Sequence, residues 1–171
     1  MAAFLAGVEQ RAFKIASFAV SDSELALDIV QDAMLTLVEK YRAKSPAEWA
    51  PLFYRVLESR IEDQRRRRTV RHRVLECLGF STTDDAAPPL ESYPAPATAQ
   101  PEFILHEDQT HARLLAAIHA LPRRQQQVVL LREWEGLDVR GTAHAMGCSE
   151  GSVKTHYFRA LQALREALQH A

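Results

Sequence analysis

The chain has 171 residues, 47% hydrophobic and 25% charged, with a formal net charge of −1, which gives enough apolar content for one ordinary core or two small ones. No apolar run approaches the ~20 residues that cross a bilayer, and Arg11 and Lys14 are interleaved with hydrophobics where a secretory leader would have an uninterrupted apolar stretch, so a cytoplasmic protein without membrane insertion is expected. The two cysteines, Cys77 and Cys148, are far apart and outside any CxxC pair, which suggests neither a disulfide framework nor a zinc ribbon, and two reduced thiols are expected.

The near-zero charge divides unevenly. Residues 1–80 carry 13 Lys/Arg and 11 Asp/Glu, residues 81–110 carry none and 6, and residues 111–171 carry 8 and 5. An acidic middle masks two mildly basic ends, so the free chain has little long-range attraction for a polyanion.

In chain order, residues 7–19 place apolar side chains at helical spacing, and residues 23–41 predict a longer helix. Its inward stripe is Ala26, Val30, Ala33, Met34, Leu37 and Tyr41; Glu24, Asp28, Gln31, Asp32, Leu35 and Glu39 fall on the opposite face. An acidic stripe of this kind is usually a solvated face. Ser45-Pro46-Ala47-Glu48 is a capping box with proline at the first helical position, and Pro51 is expected to restart or kink the helix.

From there Leu52, Val56, Ser59 or Arg60, and Asp63 repeat at helical spacing into Arg65, Arg66, Arg67, Arg68, Arg71 and Arg73. Six arginines within nine positions point to a polyanionic partner. Trp49, Phe53 and Tyr54 just upstream suit either base stacking or a core. Residues 81–101, rich in proline, small residues and acids, read as an extended linker.

Residues 137–164 carry the most specific pattern. Val139, Ala143 and Met146 give a short helix one apolar face, Gly147 is placed to stop it with a positive φ, and Ser149 to cap the next. That next helix, starting at Glu150, turns Val153, Tyr157, Ala160 and Leu161 inward and Glu150, Lys154, Thr155 and Arg159 outward. This is the pattern of a helix-turn-helix whose second helix enters a major groove.

Taken in this order, these features resemble the two-domain sigma factors of bacterial RNA polymerase, in the extracytoplasmic-function subfamily, over nearly the whole chain. The resemblance implies an all-α protein of two small helical domains, residues 1–80 and 109–171, joined by a flexible acidic proline-rich linker over 81–108. Asp28, Gln31 and Asp32, with Leu35, stand where that family contacts the polymerase clamp helices. Leu52-Phe53-Tyr54-Arg55-Val56 and the arginine run resemble its helix that opens and reads the minus-ten element, with Ser59, Arg60, Gln64, Arg65, Arg66, Arg67 and Arg68 as the contacting residues; the family usually has Asn where Ser59 stands, and this chain contains none.

Leu121-Pro122-Arg123-Arg124 through Arg132, then Gly136-Leu137, Gly147 and Ser149-Glu150-Gly151-Ser152-Val153-Lys154, resemble the domain that binds the minus-35 element and the polymerase flap. By position, Glu150, Ser152, Lys154, Thr155, Phe158 and Arg159 would face DNA, with Arg132 on phosphate. The resemblance further implies core RNA polymerase and promoter DNA as partners, an anti-sigma factor as a common additional one, a linker that threads toward the RNA exit path, no catalysis by the chain itself and no cofactor.

Three other readings use parts of the sequence. A LuxR-type regulator shares a stretch like Gly151-Ser152-Val153-Lys154-Thr155-His156, but its phosphoreceiver needs strands alternating with helices, which residues 1–75 do not offer. A zinc site can be drawn from His144, Cys148 and His156. A helical scaffold that binds only protein fits the acidic stripe and leaves the arginine run unexplained.

Overall fold

Hydrophobic spacing of 3.6 residues is carried into structure throughout: every described element is helical. The computed structural model describes residues 1–20, 22–77 and 101–169, with side chains over 1–20, 22–71 and 110–169. In order they are α1 (Ala2–Val20), α2 (Ser23–Tyr41), α3 (Pro46–Cys77), α4 (Pro101–Ala120), α5 (Arg123–Val129), a π-helical turn (Leu130–Trp134), α6 (Val139–Met146) and α7 (Glu150–Gln169). The all-α expectation holds. Cys77, Arg73 and the linker up to residue 100 fall outside the described side chains or residues.

Local chemistry sets the ends of these helices. The Asp22 carboxylate accepts from Leu25 N–H at 3.1 Å and starts α2. At α3 the Ser45 N–H and hydroxyl both donate to Glu48 Oε2, at 3.2 and 2.9 Å, which forms the glutamate half of the expected capping box, while Glu48 N–H donates to Ser45 O at 2.9 Å. This pairing, with Lys44 beside it, holds the Glu48 carboxyl below the ordinary range.

Helix α3 contains Pro51 and nevertheless runs unbroken from Pro46, so the predicted restart does not occur. Proline lies so close to the helix start that only one intrahelical bond is lost there. The first helix begins at Ala2, ahead of residue 7, and α4 is already helical from Pro101, within the stretch assigned to the linker.

Helices α1, α2 and α3 form a bundle around Val8, Ala12, Ile15, Ala16, Ala26, Ile29, Val30, Ala33, Leu37, Phe53, Tyr54, Leu57 and Ile61, all buried. Alanines at Ala12, Ala16, Ala26 and Ala33 let the helix axes approach closely. The buried stripe of α3 is Phe53, Tyr54, Leu57 and Ile61; of the two uses the sequence left open for the aromatics, stacking or core, Phe53 and Tyr54 take the core, worth about 1.5–3 kcal/mol each by burial. The C-terminal helices continue this core through Ile118, Val128, Leu131, Ala145, Met146, Val153, Ala160 and Leu164. Leu161, expected inward, is exposed, and Leu164 takes the buried position.

The two bundles pack on each other, mainly α6 against α3. Gly141 of α6 is needed at this crossing, because a Cβ there would lie 3.0 Å from Asp138 Oδ1 and 3.4 Å from Pro51 Cγ. Polar contacts flank the apolar seam. Tyr54 Oη donates to Glu135, which also pairs with Arg11 Nε at 3.3 Å; Arg123 pairs with Glu62; the Phe18 and His119 rings stack with centroids 3.7 Å apart.

Glu58, close to Arg123, Arg65, Arg124 and Gln127, is desolvated enough that its pKa is pushed up to about 7 from 4.5 despite those partners. The folded form therefore binds a proton more readily than the unfolded one between these two values, and stability falls as pH rises from about 4.5 to about 7. Glu135, also raised chiefly by burial, acts in the same sense; His119, lowered by burial and by Arg65, acts in the opposite one. Glu58→Gln should flatten the pH dependence of the urea midpoint and stabilise the fold at about pH 8 relative to wild type. An unchanged slope would place the pH response in other groups.

Candidate nucleic-acid interface

Three consecutive devices build the helix-turn-helix. Asp138 caps α6, its carboxylate accepting from Gly141 N–H at 2.6 Å, while Thr142 Oγ1 donates to Asp138 O at 2.7 Å. Gly147 ends α6 at φ 61°, ψ 41°, and Cys148 N–H reaches back to Ala143 O at 3.0 Å, so the exposed carbonyls of the last turn are satisfied as the chain reverses. Ser149 Oγ then accepts from Ser152 N–H at 3.1 Å and starts α7. Arg124 of α5 donates to Met146 O at 2.9 Å and ties the turn to the helix beneath it.

With Val153 and Ala160 locked in the core, α7 turns Glu150, Lys154, Thr155, Phe158 and Arg159 to solvent. All five were read as outward or DNA-facing from the sequence. Ser152 is half-buried, its hydroxyl 2.9 Å from Ser149 Oγ, so it serves the cap. Thr155 Oγ1 donates to Gly151 O at 3.0 Å, which spends its donor and leaves its methyl group and lone pairs facing outward. Phe158 is 70% exposed, an apolar side chain with no folding role in view.

Arg132 lies at the flank of this helix. Its guanidinium sits 5.2 Å from the Tyr157 ring centroid and donates to Leu137 O at 3.4 Å. Tyr157 Oη in turn donates to Glu133 Oε1 at 2.6 Å, and that bond is the main reason its phenol is harder to ionise. The π-helical turn makes the cluster possible: its wider winding aims Arg132 and Glu133 at α7 while Trp134 and Glu135 face the N-terminal bundle. Neither Tyr157 nor Glu133 was singled out as a site residue: Tyr157 read as core, and nothing local to Glu133 marks it.

The arginine-bearing stretch of α3 is less uniform. Ser59, Arg66 and Arg67 are exposed, while Arg60 and Gln64 are half-buried. Arg60 donates to Thr36 Oγ1 at 3.4 Å, and Arg66 pairs with Glu62 at 3.5 Å. Arg65 is turned inward, donating through Nε and Nη2 to Ala19 O at 3.4 and 3.1 Å; burial and the neighbouring Arg123 lower its pKa. Arg68, beside them, is exposed.

On α2, Asp28, Gln31, Asp32 and Leu35 share one solvent-facing side, with Leu35 60% exposed. Leu27 and Val38, also exposed, extend this face into an apolar strip edged by carboxylates. They escaped the sequence reading because an apolar residue beside an inward stripe is ordinarily counted as core. Among the described residues no three His, Cys, Asp or Glu side chains are arranged to hold a metal, and no helix is long and apolar enough to cross a membrane.

Comparison with known proteins places this geometry. Residues 111–164 match the family described as Sigma-70, region 4. The chain is 45% identical over 58 residues to the RNA polymerase sigma-E factor of Streptomyces antibioticus, covering 34% of this chain and 32% of that one. It is 41% identical over 68 residues to the ECF RNA polymerase sigma factor BldN of Streptomyces coelicolor, covering 40% and 26%. Against the RNA polymerase sigma-H factor of Pseudomonas aeruginosa it is 28% identical over 158 residues, 88% of this chain and 76% of that one. The first two relatives are thus matched over about a third and a quarter of their lengths. In fold it is similar to the sigma factor RpoE of Bartonella quintana, solved in complex with the anti-sigma factor NepR, with a TM-score of 0.64, 21% identity and coverage of 99% and 98%.

If Tyr157 positions Arg132, Tyr157→Phe should weaken duplex DNA binding by a similar factor on every sequence, because a phosphate contact carries no base information. Arg132→Ala should lower the log–log salt slope by about one unit. A sequence-dependent loss in either variant, read by fluorescence anisotropy, counts against this assignment.

Proposed function

We propose that the chain is a promoter-specificity subunit of the extracytoplasmic-function sigma type, acting on cytoplasmic bacterial RNA polymerase with no catalysis of its own; the match of residues 111–164 to Sigma-70, region 4 and the likeness to sigma factors support this reading. The observation that carries this reading is the capped helix-turn-helix, whose second helix turns Lys154, Thr155, Phe158 and Arg159 outward from a rigid core.

In this reading α7 fixes the upstream element in the major groove. Lys154 and Arg159 supply charged donors for guanine or phosphate, and the Thr155 methyl and the Phe158 ring supply apolar contact of the kind a thymine methyl accepts. Glu150 borders the same edge, and Arg132 grips the backbone. Residues 109–171 form the upstream reader and residues 1–80 the downstream one, where Arg60, Gln64 and the outward arginines Arg66 and Arg67 meet the melted strand and Ser59 stands at the base-reading position. Arg65, bonded to Ala19 O, holds α3 in place beside them. Unstacking a base costs a few kcal/mol, recovered from pocket contacts.

Attachment to core polymerase falls to the α2 face of Asp28, Gln31, Asp32 and Leu35, with an anti-sigma factor as a competitor for the same chain. A polypeptide of net charge −1 has little electrostatic grip of its own on DNA. Docking two weak readers on one large enzyme supplies it through effective concentration.

In vitro transcription with core polymerase on a promoter library tests the reading: defined start sites should appear only with the chain added. Start sites unchanged by the chain rule it out. Reversing the charges of Asp28 and Asp32 together should abolish capture of core polymerase while helicity stays constant by circular dichroism. Lys154→Ala should cost about 1–3 kcal/mol on the preferred upstream element and little on others; equal loss on all sequences would make Lys154 a phosphate contact.

A further inference from the structure

The seam between the two bundles contains a cavity of about 180 Å³. One wall is α1, through Lys14, Ile15, Ser17 and Phe18; the other is the C-terminal bundle, through His111, Leu115, Leu130 and Trp134. For scale, about 150 Å³ of apolar space is enough to take up a benzene ring. The body of the cavity is hydrocarbon and aromatic, a setting in which water gains few hydrogen bonds and an apolar guest is favoured.

Its polar groups are few and of one kind. The Lys14 ammonium lies 5.7 Å from the Trp134 ring centroid, and His111 belongs to the opposite wall; both side chains are exposed. The Ser17 hydroxyl oxygen is buried and has no hydrogen-bond partner, which leaves a donor unused. No carboxylate is among the described lining residues. An apolar slot one ring wide, with cationic and hydroxyl donors and no acid, fits a guest with an aromatic body and an anionic end.

We propose that this cavity is a binding site for a small single-ring aromatic carboxylate, whose ring lies among Ile15, Phe18, Leu115 and Trp134 and whose carboxylate accepts from Lys14 and Ser17. Because the guest touches α1 and the C-terminal bundle together, it binds only when they are packed, and by mass action it stabilises that packing. The site is independent of the sigma-factor reading.

The test uses the full chain in a Trp49→Phe background, where Trp134 is the remaining tryptophan. Phenylacetate should quench its emission saturably, with half-saturation near about 1 mM for a guest of this size, and should raise the thermal midpoint. Phenylacetamide, equal in shape and uncharged, should bind about fivefold more weakly or worse, exposed lysine contacts being modest. Lys14→Gln, a surface change, should erase that preference, and Leu115→Phe, filling the slot, should abolish quenching with helicity retained. Absence of saturable quenching up to about 10 mM phenylacetate overturns the site; equal binding of acid and amide overturns the anionic assignment; and undiminished binding by Leu115→Phe removes it from this cavity.

Discussion

Burial of charge at the seam is the constraint on which the rest of the molecule depends. Glu135, its side chain 1% exposed, is held by Tyr54 and Arg11, and Glu58 and Glu62 face Arg123 and its neighbours. A buried carboxylate that loses its partner costs several kcal/mol, whereas one that keeps it gains little over an apolar pair. These contacts therefore act mainly as registry pins. They admit one packing of α6 on α3 and penalise displaced ones, while the apolar residues around them supply most of the cohesion.

The polar character of the seam bears on the proposed reading of DNA at two separated points. Its carboxylates and guanidinium groups regain hydration when the bundles part, so separation costs less than the buried area alone would imply. A purely hydrophobic seam of the same size would resist it more strongly. The raised pKa of Glu58 fits this picture, because a carboxyl that is costly to ionise in the packed state favours exposure as pH rises.

The π-helical turn joins the seam to the recognition helix. It presents Arg132 and Glu133 to Tyr157 on α7, and Trp134, with Glu135 just after the turn, to Lys14, Arg11 and Tyr54 on the other side. A π-turn is less favourable than α-helix and persists where neighbouring contacts over-determine it. Here both flanks do so. The side chain proposed to grip phosphate is thus covalently adjacent to those that hold the bundles together.

Much of this was legible in the sequence. The helix-turn-helix could be read residue by residue because its determinants are local: a glycine that takes φ 61°, a serine cap and apolar residues at i, i+4. The outward face of α2 was legible for the same reason, since periodicity alone fixes which side of a helix is apolar. On α3 spacing alone named no buried stripe, because Leu52, Val56 and Asp63 repeat at helical spacing as well as Phe53, Leu57 and Ile61 do, and only contact with α1, α2 and α6 decides which stripe is covered. The inward turn of Arg65, the wide turn at Leu130–Trp134, the Tyr157–Glu133–Arg132 cluster and the cavity behind Phe18 were likewise beyond reach. Each depends on atoms distant in the chain, such as Ala19 O for Arg65 and Tyr54 for Glu135. Local sequence determines where helices begin, end and turn apolar; which charges leave water is decided by the packing of one bundle against the other, because desolvation depends on the neighbours a group meets only after folding.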